Sequence, residues 1–545
     1  MTARRTPAAR NPVARLAIAA LAAACFAIAA APATAQANPA ADLPDYSYAG
    51  YAFGEAAIPD VAGRVFNVTD FGATPNDDAP DRLAIQSAID AAAAAGGGVV
   101  FFPPGRFDIV ESDDITQVLR IRTSNIVLRG SGAGPNGTTL FMEHPTALQD
   151  PKIKWSNRPA ILFQPDIPDP SSRRILEAHG QPETALIADA SAGSFTIRVA
   201  DPTGFKVGDT VALAIESTDI NPRFLDGLPT RDLWERINTT GVVVNALHLV
   251  TAIDGKELTF HAPLMMDVFV HEGWAVIRRE MLLNCGVEDL HIQGNFHEAF
   301  VHHKNYVHDN GYRGVAMVAC RDSWVQRCRF SDISAGAILT ASLACSILDC
   351  TMSGNPGHNS FGASFGTRSL IGRCRDDAGT FHGPAASHLA AGTVIWRYQG
   401  GDSRGGPDFH ATFPLNTLVD VSSAIAIDHH GGNYKDLPNH LGELTYWNYT
   451  ITADPSAAAT SFHFWDLLED DPARRYGPMT AVRPHIIGLQ SPAPMAFPGP
   501  MGTTTPVGQA VAPESLYEHQ LEQRLGHRPA WLDRASPART SHATP

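Results

Sequence analysis

Gly314–Phe330 reads GVAMVACRDSWVQRCRF, and Gly336–Met352 reads GAILTASLACSILDCTM. The second stretch starts 22 residues after the first and aligns with it without a gap. Ala316 falls on Ile338, Val318 on Thr340, Val325 on Ile347, Cys328 on Cys350 and Phe330 on Met352. A weaker copy follows in LIGRCRD, with Ile371 and Cys374, and another precedes in GVEDLHIQG, with Val287, Leu290 and Ile292. Side chains alternate along each short run, as in a half-buried strand. Short strands and turns repeating at this period predict stacked coils. Helical repeats are disfavoured because the segments are β-branched and cysteine-rich, without a 3.6-residue period. Leucine-rich repeats share the period, but their regular leucines are absent. Stacking would bury Cys328, Cys350 and Cys374 above one another, as apolar thiols rather than disulfides.

Upstream, Phe66–Phe107 divides into strand, turn, helix, glycine turn, strand and Pro-Gly turn. A helix over Asp81–Ala95, with Asp81 as N-cap and Ile85, Ile89 and Ala92 on its apolar face, would cover the open end of the solenoid. The stretch carries Asp70-Phe71-Gly72-Ala73, Ala84-Ile85-Gln86, Gly96–Gly98 and Phe102-Pro103-Pro104-Gly105. This pattern closely resembles the entry module of the pectate-lyase-like superfamily. The resemblance implies an all-β fold, a right-handed parallel β-helix, and a carbohydrate-active protein. It does not fix the reaction, since lyases, hydrolases, epimerases and phage tailspikes share the fold.

The opening 37 residues read as an export signal: Arg4, Arg5, Arg10 and Arg15, then apolar Leu16–Ala31, then Ala35-Gln36-Ala37. The apolar run is too short for a membrane span. An N-terminal arm is expected over 38–63 and entry coils over 64–193. The coil period is lost over 194–270, where Gly204–Asp209 and the alternating residues after it predict an inserted β module. Its loop Asn221–Asn238 carries Arg223, Arg231, Trp234 and Arg236. Main coils are expected over 271–490 and an extended tail with a short helix over 491–545. The formal net charge of -15 disfavours nucleic acid as a partner. The oligomeric state is left open.

Histidine is dense from His291 to His440. Equivalent positions of neighbouring coils sit about 4.8 Å apart, so residues one period apart can share a site. The register places the turns of Asp309 and Arg313, Asp332, His358 and His382 on one edge. His303, Lys304, Asp309, Arg313, Asp332, His358 and His382 are therefore the catalytic candidates. His302, Arg327, Asp408, His410 and Lys435 are the candidates for binding a polysaccharide or oligosaccharide. A lyase acting on a uronate needs a base, a cation for the carboxylate and an acid for the leaving oxygen. Histidine, lysine and arginine suit that task. The spacing of Lys304 and Arg327 resembles the Lys/Arg pairing of chondroitinase-B-like and alginate-lyase β-helices. A glycoside hydrolase instead needs two carboxyl groups, for which Asp309, Asp332, Asp376, Asp377, Asp408 and Asp428 are candidates. A non-catalytic glycan-binding solenoid is the third reading. A transition metal at Asp428, His429 and His430, or Ca2+ on turn carboxylates, are the cofactor candidates; adjacent histidines on a strand would point to opposite faces.

Overall fold

The computed structural model describes residues 40, 43–116, 119–167, 176–401, 406–410, 412–427, 432–452, 461–465 and 479–533. The export signal expected over 1–37 and the cofactor candidates Asp428, His429 and His430 lie outside the described residues. The protein is a right-handed parallel β-helix. Its coils build three parallel sheets of eleven, nine and six strands.

The 22-residue repeat acts through register. In the eleven-stranded sheet, Val287, Val325, Ile347, Ile371, Ile395, Val419, Tyr446 and Ile486 fall in one column. All belong to the main core. In the nine-stranded sheet Leu140, Ile292, Phe330 and Met352 form the matching column. Each buried aliphatic side chain in such a stack contributes roughly 1.5–3 kcal/mol by leaving water. Cys328, Cys350 and Cys374 precede in-register strands, and all six described cysteines are buried with free thiols. Burial pushes the Cys285 thiol up to about 12.

The chain turns from the eleven-stranded to the nine-stranded sheet through one left-handed residue per coil. Asp289, Arg327, Asp349, Arg373, Arg397 and Asn448 all have φ between 47° and 58°. Non-glycine residues seldom adopt this conformation, so each corner carries some strain. Oppositely charged side chains on successive corners offset it. Arg327 clasps Asp289 at 2.7 Å through both nitrogens, and Arg373 clasps Asp349 at 2.7 and 2.9 Å.

The entry helix spans Arg82–Ala94 and buries Ile85, Ala88, Ile89 and Ala92 against the first coils. Asp81 does not cap it. Its carboxylate instead accepts the N–H groups of Thr74 and Asp108, tying two loops together. Gly97 follows the helix with φ 129°, and a Cβ there would stand 2.6 Å from the Asn125 carbonyl oxygen, so only glycine fits. The inserted sheet is antiparallel and six-stranded. It begins at Glu183 and ends at Arg279, outside the expected limits of 194–270 on both sides, because Glu183–Ala185 and Ala275–Arg279 pair to complete it. The N-terminal arm and the helix Leu516–Leu525 meet along the outer face of the eleven-stranded sheet. There Tyr51 N–H donates to Ser346, Tyr517 hydroxyl to Ala49, and Trp396 indole to Glu518. Among the described residues no helix is long and apolar enough to cross a membrane.

Candidate active site

The six-stranded parallel sheet supplies the floor. Met317, Leu339, Ala386 and Phe409 point into the core, so their neighbours face outward. Ala316, Ile338, Gly362, Ala385 and Asp408 form one outward column. Arg313, Ala335, Asn359 and His382 form the column at its entrance. Arg313 and His382 are thus three coils apart, roughly 14 Å at 4.8 Å per coil. The loops that precede these strands bring a set of histidines over this floor.

One group is built on Asp309, which is fully buried. Its carboxylate accepts the His303 main-chain N–H at 3.0 Å, lies 3.3 Å from His303 Nδ1 and pairs with Lys154 Nζ at 2.9 Å. Its main-chain oxygen lies 3.0 Å from His358 Nδ1. His302 and His303 are adjacent, yet their rings stack with centroids 3.7 Å apart. They lie in a turn rather than a strand: Lys304 N–H donates to the Val301 carbonyl, and His303 has φ 60°. Trp155, Phe300 and Phe381 pack around the imidazoles. Burial pushes His302 down to about 4, helped by His303 and His382. It lowers His303 against the opposing pull of Asp309, and holds His358 well below the ordinary histidine range.

The second group is built on Asp408. Its Oδ2 lies 3.1 Å from His382 Nδ1 and 3.4 Å from His410 Nδ1. Asp408 and His382 are each 3% exposed, whereas His410 is 35% exposed. Burial pushes the Asp408 carboxyl up, but the two imidazoles carry it well below the usual carboxylate range. Burial pulls His410 down, and Asp408 more than reverses this, leaving it raised. The two groups adjoin, with the His358 and His382 ring centroids 5.0 Å apart.

Of the sequence candidates, the structure brings together His302, His303, Asp309, His358, His382, Asp408 and His410. Arg313 stands at the entrance of the floor, three coils from His382, and four stand elsewhere. Arg327 is a corner residue spent on Asp289. Asp332 accepts the Asn355 N–H at 2.8 Å and holds the turn above it. Lys304 pairs with the exposed Glu298. Lys435 pairs with Glu235 of the inserted module at 2.8 Å. That module loop is also pinned to the coils by Arg236 to Asp436 and by Trp234 against Trp465. Sequence reasoning missed Lys154, Trp155 and Phe300. They sit on loops between strands, where register carries no information. The carboxylates needed for hydrolysis are mostly committed: Asp376 is buried and accepts the N–H groups of Gly379 and Thr380, and Asp377 pairs with Arg375.

Residues 65–145 match the family model described as "Rhamnogalacturonase A/epimerase, pectate lyase-like". That stretch of the chain is similar to the pectate-lyase-like family. Residues 379–535 match a second model, a domain of unknown function, DUF4955, which takes in His382, Asp408 and His410. The mannuronan C5-epimerase AlgE6 of Azotobacter vinelandii is 44% identical over 69 residues, covering 13% of this chain and only 8% of that relative's length. Among solved structures, the tailspike gp49 of Pseudomonas phage LKA1 aligns at 14% identity and a TM-score of 0.43, over 82% of this chain and 74% of its own. The AlgE6 A-module aligns at 13% identity and 0.37, over 81% and 92%.

Proposed function

We propose that this is an exported enzyme that cleaves a uronic-acid-containing polysaccharide by β-elimination, with His410 as its proton-transfer group. The supporting observation is the Asp408 pair. A buried carboxylate holds a part-exposed imidazole on the outward face of the sheet and raises its pKa from the ordinary histidine value. His410 takes the C5 proton, whose release is eased by the neighbouring carboxyl group. The C–H electron pair becomes the C4=C5 double bond. The C4–O bond breaks, and its electrons leave with the glycosidic oxygen, to which His410 returns the proton. Asp408 stabilises the imidazolium formed between the two transfers. Export rests on the basic and then apolar opening of the chain.

A glycoside hydrolase of the same fold is less well served, because Asp309 and Asp408 are both buried beneath histidines. Epimerisation shares the first step, and the chain briefly matches a C5-epimerase. A panel of uronate polymers separates the readings. New ultraviolet absorbance from an unsaturated uronate indicates elimination, and new reducing ends without it indicate hydrolysis. A changed uronate composition with neither indicates epimerisation. Binding without turnover would leave a glycan-binding solenoid.

A further inference from the structure

We propose that His302, His303 and His358 form a transition-metal site of the class that takes Zn2+, with Asp309 as the residue that orients two of the three ligands. One ring nitrogen from each histidine lies within 4.8 Å of the others. A tetrahedral ion holds nitrogens at about 2.0–2.1 Å, hence roughly 3.4 Å from each other. Closing the set therefore asks for ring shifts on the order of an ångström, and His303, 32% exposed on its loop, has room to make them.

The orientation of the rings carries the inference. Metal-bound histidines characteristically donate their other N–H to a carboxylate or a main-chain carbonyl. Asp309 provides both. Its Oδ2 faces His303 Nδ1 at 3.3 Å, and its carbonyl oxygen faces His358 Nδ1 at 3.0 Å. A carbonyl only accepts, so the proton of His358 sits on Nδ1 and the lone pair on Nε2. The Asn359 carboxamide, 3.1 Å from the same Nδ1, then meets it oxygen first, a flip that leaves its shape unchanged. His358 is 7% exposed, and its Nε2 is buried without a hydrogen-bond partner. Leaving such a nitrogen unmet costs about 1–3 kcal/mol. Aromatic packing by Trp155 and Phe300 accounts for neutral rings, but not for two rings turned the same way by one residue. Imidazole nitrogens suit zinc, copper or nickel and not Ca2+, which takes oxygen ligands.

The neighbouring group of His382, Asp408 and His410 also lies within 4.8 Å. There one carboxylate oxygen already faces both Nδ1 atoms, which leaves Asp408 engaged by its own histidines. The inference is independent of the elimination reading and is tested by metal content, so either can fail alone.

The full chain, stripped with chelator and dialysed, is titrated with Zn2+ and, separately, with Co2+. One ion per chain and the intense visible bands of tetrahedral Co2+ are expected. His303→Ala and His358→Ala should each abolish stoichiometric uptake. Asp309→Asn should weaken it roughly 10–100-fold while keeping the stoichiometry. His382→Ala should change neither. Thermal melting in chelator checks that each variant folds, and His303→Ala is the decisive one because that ring is part-exposed on a loop. No stoichiometric uptake, uptake unaltered in His303→Ala, or loss confined to His382→Ala would each overturn the site.

Discussion

The Nδ1 atom of His382 lies 3.1 Å from a carboxylate oxygen of Asp408, although 26 residues separate them and both are 3% exposed. The bridge Ala385↔Asp408 sets this pairing, since it puts the Asp408 strand one coil above that of His382. Asp408 therefore orients a histidine, whereas Asp332, a catalytic candidate on sequence, holds a turn. Asp408→Asn and His410→Ala should each lower turnover on the polymer identified by the panel by roughly 10²–10⁴-fold. Asp332→Ala should keep turnover near that of the parent and lower the melting temperature, because its carboxylate holds a turn. Initial rates and melting curves on the three variants decide between the two aspartates.

Arg327 offers a contrast. Its guanidinium is clasped by Asp289, with side-chain exposures of 13% and 6%. Removing one partner of a buried pair costs about 3–5 kcal/mol. Arg327→Ala should therefore lose stability in urea unfolding while keeping its Michaelis constant. A raised Michaelis constant with unchanged stability would return Arg327 to the substrate site.

The cysteines should be silent in the folded state. All six described thiols are buried and free, and burial pushes those of Cys285 and Cys345 well above the ordinary thiol value. A thiol reagent should find none of the six under native conditions and all of them after unfolding without reductant. Fewer on unfolding would reveal disulfides.

The buried histidines should withdraw stability on the acid side. Burial pushes His248 down to about 3 and both His291 and His440 to about 4. In the unfolded chain each titrates near 6.5. Below about pH 6.5 the unfolded chain binds protons that the folded chain refuses, so this contribution is full above that pH and drains away towards pH 4. The raised His410 works the other way: its contribution is present below about 6.5 and is lost as pH rises through its folded value. The buried Asp420 carboxyl, pushed up to about 7, also works the other way, so the histidine contribution is read from the difference between parent and variant in stability against pH. In His440→Gln the slope should shrink by on the order of one proton. A slope unchanged in His440→Gln would contradict the assignment.

The coils were legible because a parallel stack repeats a local rule. Val325 and Ile347 occupy equivalent positions in two copies, and a period of 22 residues places one above the other. The entry helix was legible for the same kind of reason, since Ile85 and Ile89 lie one turn apart on a face that must be covered. Its N-cap was misread because Asp81 serves two loops instead. Charged residues near the coils were harder. Arg327 and Asp332 belong to turns, where charge and left-handed backbone meet structural needs that look like chemistry in one dimension.

By itself the sequence determined the architecture: the alternation, the period and the glycines of the entry module leave one economical way to bury the apolar column. The tertiary structure decided which polar residues share a site. His302 and His303 stack because the chain reverses at φ 60°, which no periodicity announces. Lys154 reaches Asp309 from a loop more than 150 residues earlier. Asp408 faces outward because the strand before it fixes its register. Loop conformation depends on contacts distant in the chain, and a repeat carries information only about what recurs.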